Sequence, residues 1–125
     1  MIKLLHVEDD ADIREIAQLS LSLTGEFEIV QSEDGQAALA QVQTFTPDVI
    51  LIDMMMPGLT GPETLEEIRK IPHLTDIPAI FMTARTRDED VAALRAMPRV
   101  DVISKPFDPI SLPEEIKTIL AKASG

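Results

Sequence analysis

The sequence predicts an α/β protein: a parallel five-stranded sheet, doubly wound, with helices on both faces. Three observations predict it. Short apolar runs alternate with longer amphipathic stretches, five times over. One run, Val49-Ile50-Leu51-Ile52, is apolar without interruption, as a central strand buried on both faces requires. Four runs end abruptly in residues that handle phosphate or metal: Glu8-Asp9-Asp10, Asp53, Thr83 and Lys105. Right-handed βα crossovers set the carboxyl ends of such strands side by side, where open α/β sheets carry their sites.

The elements follow in order. Residues 2–7 form the first strand. Over residues 11–24, Ile13, Ile16, Ala17, Leu21 and Leu23 recur near helical spacing, with Gly25 at the C-terminal cap. A strand over 27–30 precedes a helix over 35–45, which carries Ala38, Leu39 and Val42 on one face. Pro47 resets the backbone before the strand that ends at Asp53, and Pro57-Gly58 punctuates the loop beyond. Gly61-Pro62 opens a third helix, where proline's missing N–H costs nothing. That helix has Leu65 and Ile68 inside and runs to Pro72. A strand over 79–82, a helix over 86–97, a strand over 100–104 and a helix over 111–121 complete the pattern. In the last helix Ile116, Ile119 and Leu120 point inward. Helix 5 ends near the last residue, so a single domain over 1–125 is expected, with no output domain.

Composition narrows the function. Asp and Glu number 22 against 11 Lys and Arg, a net charge of −11 that repels nucleic acid and anionic membrane. There are no cysteines, hence no disulfide framework or thiolate metal site. The apolar start meets three acids after Val7 and lacks a small-residue cleavage site, and no uncharged stretch is long enough to cross a bilayer. The expected setting is cytoplasmic.

Three carboxylates at one sheet edge repel one another unless a cation neutralises them. An all-oxygen set suits Mg²⁺, which keeps waters and accepts a phosphate oxygen. Lys105 offers a compact charge to pair with Asp53 and then with a phosphoryl oxygen; the Thr83 hydroxyl and the Ala84 N–H offer further donors. Together these describe phosphoryl transfer by positioning and charge neutralisation, with Asp53 the nucleophile.

Glu8-Asp9, Asp53 followed by Met-Met-Met-Pro-Gly, Thr83-Ala84 and Lys105-Pro106-Phe107 resemble the signature of a response regulator receiver domain of the stand-alone type, in order and separation. The resemblance covers essentially the whole chain. It implies a flavodoxin-like fold with strand order 2-1-3-4-5. It also implies that Asp53 takes phosphate from the phosphohistidine of a sensor histidine kinase or histidine phosphotransfer protein, and that protein contact passes the signal to a downstream target. By the same resemblance, Asp9 and Asp53 bind Mg²⁺ directly with the backbone carbonyl of Met55, Glu8 acts through water, and Lys105-Pro106 is cis. Such a protein is a signalling switch, not a dedicated enzyme. Two departures stand out. Val102 replaces the aromatic residue usual three positions before the lysine, and Met97-Pro98-Arg99 replaces a usual glycine before strand 5.

Taken singly, each residue has a plainer reading. Asp10 or Asp9 caps helix 1, Asp53 forms a turn, Thr83 reflects strand propensity and Lys105 is a solvated loop residue. Their conjunction at one edge argues otherwise. His6 and His73 have no second ligand at useful spacing and read as structural, and Met54-Met55-Met56 reads as adaptable packing. Glu33-Asp34-Gly35 reads as a helix start. Arg85-Thr86-Arg87 reads equally as a solvated helix start or a partner contact. An aspartate-nucleophile phosphatase is the competing enzyme class, with Asp10 and Asp12 as its spaced acids, but Asp12 falls within the first helix. A flavin module lacks a Tyr or Trp to stack the ring.

Overall fold

The computed structural model describes residues 1–84 and 88–124. Strands β1 (Ile2–Val7), β2 (Phe27–Ser32), β3 (Val49–Asp53), β4 (Ala79–Thr83) and β5 (Val100–Ser104) alternate with helices α1 (Ala11–Ser22), α2 (Gly35–Gln41), α3 (Gly61–Ile68), α4 (Asp88–Arg95) and α5 (Leu112–Ser124). Every pairing is parallel and the order is β2-β1-β3-β4-β5, as expected.

The unbroken apolar run of β3 is explained by what lies on each side of it. Ile50 and Ile52 join Leu5, Val7, Phe81, Leu65 and Ile68 in a core under α2 and α3. Val49 and Leu51 join Leu4, Ile80, Met82, Leu21 and Ile116 under α1 and α5. Alternate side chains thus feed two separate cores. All five residues of β3 and of β4 are buried, whereas edge strands β2 and β5 are covered only in part.

Local chemistry sets the element ends. Asp10 is the N-cap of α1, its carboxylate accepting from the N–H groups of Asp12 and Ile13. Asp34 caps α2, so Glu33-Asp34-Gly35 does begin a helix. Thr60 and Glu63 form a capping box on α3. Helix α3 stops at Ile68, short of the expected Pro72, because the residue before a proline avoids helical backbone: Ile71 is extended, and Pro72–Leu74 forms a separate 3-10 turn. Helix α2 ends at Gln41, and the chain tightens into turns through Phe45.

Helix α1 turns only part of its apolar set inward. Ala17, Ser20 and Leu21 face the sheet, while Ile16 is 44% and Leu23 70% exposed. At about 100° per residue, positions 13, 17 and 21 form one stripe, and 16 and 23 fall on its flank. Helix α4 covers 88–95 of the expected 86–97, and residues 85–87 lie outside the described residues, so the readings placed on Arg85-Thr86-Arg87 do too. Beyond α4, Arg99 stands at φ 53 where a glycine was the usual residue.

Candidate functional site

The register of β1, β3, β4 and β5 brings their carboxyl ends level. Glu8 continues β1, its N–H bonded to the Ser32 carbonyl. Asp53 closes β3 and Thr83 closes β4, both buried. Beyond β5, the Lys105 N–H extends the ladder to the Thr83 carbonyl at 2.9 Å, and the Lys105-Pro106 bond is cis. Met54 N–H bonds to the Met82 carbonyl and Gly61 N–H to the Met54 carbonyl, fixing the loop behind Asp53. Only glycine fits at position 61, since a Cβ there would lie 2.6 Å from the Asp53 carbonyl oxygen.

Four of the expected residues meet through their charges. Carboxylate oxygens of Glu8, Asp9 and Asp53 lie within 4.8 Å of one another. Lys105 Nζ reaches Glu8 Oε1 at 3.0 Å and Asp53 Oδ1 at 3.3 Å. Beside them, Asp53, Met54, Met55, Thr83, Ala84 and Lys105 line a cleft of about 270 Å³. Asp9 is exposed, so the cluster opens to solvent on that side. Three clustered oxygens, one of them accessible, fit a hard divalent cation that keeps part of its water shell.

The sequence pairs Lys105 with Asp53; the shorter contact is with Glu8, which is fully buried. A buried acid needs a partner. Burial is the main influence raising the Glu8 carboxyl from 4.5 to about 7; the nearby Asp53 raises it further, while the Lys105 hydrogen bond pulls it down. For Lys105, burial opposes the charge, yet the bonds and fields of Glu8 and Asp53 leave its affinity for the proton raised.

A second contact escaped sequence reasoning. Arg14 Nη1 donates to the Glu8 carbonyl at 2.7 Å, tying the acidic loop to α1. Arg14 was legible only as one charge on an amphipathic helix, with no local signal for a target six residues away.

Asp10 is committed to capping, and Asp12 is exposed in the first turn of α1 outside the carboxylate cluster. The pair a phosphatase would use is therefore not assembled. His6 is buried, with Nδ1 at 3.1 Å from Gln31 Nε2; burial first, then Lys105 and Arg14, lowers it to about 4, which leaves it neutral. His73 lies exposed in the 3-10 turn. Of the three methionines, Met54 and Met56 pack as expected, whereas Met55 is 69% exposed. Val102 is half-buried opposite Phe81 in the β4–β5 register and lines a groove against α5. Among the described residues, no helix is long and apolar enough to cross a membrane.

Residues 4–117 match the response regulator receiver domain family. The phosphate regulon transcriptional regulatory protein PhoB of Escherichia coli (strain K12) is 35% identical over 122 residues, covering 98% of this chain and 53% of its own. The transcriptional regulatory protein CpxR homolog of Haemophilus influenzae is 36% identical over 125 residues, 100% of this chain and 53% of its own. The chain thus spans about half the length of the curated relatives it matches. Among solved structures, a chemotaxis protein of Vibrio cholerae superposes with TM-score 0.86 at 29% identity, over 95% of this chain and 98% of that one. The receiver domain of a Francisella response regulator superposes with TM-score 0.83 at 28% identity, over 98% of each chain.

Proposed function

Because this chain belongs to the response regulator receiver family, the phosphoacceptor switches of two-component signalling, we propose that Asp53 carries its phosphoryl group. The observation that supports this is Lys105 Nζ set between Glu8 and Asp53 at 3.0 and 3.3 Å, beside a cleft that also holds Thr83 and Ala84. An Asp53 oxygen attacks the phosphorus of a phosphohistidine on a sensor kinase or histidine phosphotransfer protein. The P–O bond forms as the P–N bond breaks, and the imidazole leaves with the electron pair. Lys105 then exchanges a carboxylate for a phosphoryl oxygen, while the Thr83 hydroxyl and the Ala84 N–H take the remaining oxygens. Asp9 and Asp53, the Met55 carbonyl and, through water, Glu8 are the residues to hold Mg²⁺, which when bound supplies positive charge against those oxygens.

Movement of Thr83 toward the phosphoryl group shifts the surface around β4 and β5 and passes the signal to a downstream protein. With Val102 on β5, that surface changes without an aromatic rotor. The domain is a cytoplasmic switch whose own phosphoryl transfer and slow self-hydrolysis are its only catalysis. Slow hydrolysis is expected because Met55 beside Asp53 has no carboxylate or amide to orient water. Arg85, the other flanking residue, lies outside the described residues.

The test is intact-mass analysis after incubation with Mg²⁺ and acetyl phosphate. One phosphoryl adduct is expected, absent in Asp53→Asn and suppressed by a chelator. An adduct that persists in that variant assigns the chemistry to another residue.

A further inference from the structure

We propose that Met55 is an oxidation site through which a hydroperoxide shortens the lifetime of the phosphorylated state. The proposal rests on the reading of Asp53 as phosphoacceptor. It starts from a division among the methionines. Met82 is fully buried and Met56 is 8% exposed, whereas Met55 is 69% exposed. Met54 and Met97 are partly buried against the α2–α3 core. Met1 is also exposed, but it precedes β1 and so lies at the opposite edge of the sheet. Met55 is therefore the one methionine among the described residues that is both open to solvent and part of the cleft wall with Asp53, Thr83 and Lys105. Its backbone N–H lies 3.5 Å from Asp53 Oδ1. The chain has no cysteine to intercept an oxidant first.

The chemistry is a two-electron oxidation. The thioether sulfur gives an electron pair to one peroxide oxygen, an S–O bond forms as the O–O bond breaks, and the other oxygen leaves as water or alcohol after gaining a proton. A thioether is a weak acceptor that holds no water; a sulfoxide oxygen is a strong one. At the mouth of this cleft it can hold a water beside the acyl phosphate, a role the unmodified side chain cannot perform. One hydrogen bond of ordinary net strength corresponds to a roughly two- to tenfold faster hydrolysis.

The experiment uses the full chain and dilute hydrogen peroxide. Peptide mass mapping should find Met55 and Met1 oxidised first, Met54 and Met97 later, and Met56 and Met82 spared. The protein is then phosphorylated with acetyl phosphate and Mg²⁺, the donor is removed, and decay of the adduct is followed by mass with and without peroxide treatment. The ratio of the two rates should be about two to ten in the wild type and one in Met55→Leu, which keeps Met1 and so cancels any effect of that residue. Met55→Gln, which supplies a permanent acceptor at the same place, should decay faster than Met55→Leu. Protection of Met55 from peroxide, a ratio of one in the wild type, or an equal ratio in Met55→Leu each overturns the proposal. Absence of any adduct in untreated protein overturns the reading of Asp53 and this proposal with it, whereas a normal adduct of unaltered lifetime overturns this proposal alone.

Discussion

Lys105 and Arg69 are two partly buried cations at opposite edges of one sheet, and they bond to opposite kinds of acceptor, Arg69 through Nη2 alone while its buried Nε has no partner among the described residues. At the amino edge, Arg69 Nη2 donates to the Ile77 carbonyl at 2.8 Å and to the Arg99 carbonyl at 3.5 Å, just before β4 and β5. Its acceptors are neutral, and burial lowers its hold on the proton. At the carboxyl edge the acceptors of Lys105 among the described residues are charged, Glu8 and Asp53, with Asp9 beside them. Three acids share one lysine there. The amino edge uses its cation to complete the backbone hydrogen bonds that folding requires. Among the described residues, the carboxylates at the carboxyl edge outnumber the cations there, a surplus that a bound cation balances. On the proposed function, the chemistry falls at the carboxyl edge, and the amino edge serves the backbone.

The sharpest break in that comparison is Lys105→Met. It removes the only cation within bonding distance of Asp53 among the described residues. Loss of one preorganised charge of this kind lowers rates by on the order of 100-fold. Initial rates of adduct formation from acetyl phosphate should fall accordingly, and a rate within twofold of wild type would remove Lys105 from the chemistry.

Glu8 tests the same edge through pH. Its carboxyl stands at about 7 in the folded chain against an ordinary 4.5, so the folded state binds this proton more tightly than the unfolded state does. The resulting stabilisation is fully present below pH 4.5 and lost as the pH rises through 7. It amounts to about 3 kcal/mol at most. In chelator-treated protein, urea denaturation should show wild type losing stability across that window relative to Glu8→Gln, in which nothing titrates at this position. Parallel pH profiles for the two proteins would mean that Glu8 is ionised throughout.

Arg69→Ala should do the reverse of Lys105→Met. It removes the donor to the partly buried Ile77 carbonyl, while the Arg99 carbonyl keeps the Ala79 N–H, at a cost of about 1–3 kcal/mol in denaturant stability. Phosphorylation of Asp53 should change by less than about twofold, since the substitution is at the far edge of the sheet. A large loss of phosphorylation with unchanged stability would erase the division between the two edges.

What the sequence made legible follows the same division. Asp53, Thr83 and Lys105 were visible because each ends an apolar run, and the alternation that defines the runs also defines the fold. The strand order and the cis Lys105-Pro106 bond came from the resemblance. The wiring between elements was not legible. The Glu8–Lys105 pair joins residues 97 apart, and no local pattern links them. The inward face of α1 was not legible, because six apolar residues in twelve define a stripe too broad to show which edge the sheet covers. Helix α3 ends at Ile68, four residues ahead of Pro72, because the extended Ile71 and the turn before it take up the residues between.

The smallest effect expected lies in the turn that Arg69 clamps. Pro98 bars Met97 from continuing α4, so the chain must reverse within two residues before β5 begins at Val100. Arg99 makes that reversal at φ 53, a backbone region that costs a side-chain-bearing residue about 1 kcal/mol and glycine little. Its carbonyl is nevertheless well used, accepting from the Ala79 N–H at 3.0 Å as well as from Arg69. Arg99→Gly keeps that carbonyl and relieves the strain, while glycine's greater freedom in the unfolded chain takes back part of the gain. The net expectation is a stabilisation of about 0.5 kcal/mol, read as a higher urea midpoint at unchanged slope, with phosphorylation of Asp53 unaltered. A lower midpoint would mean that the Arg99 side chain itself holds the amino edge together, and that the edge depends on two arginines instead of one.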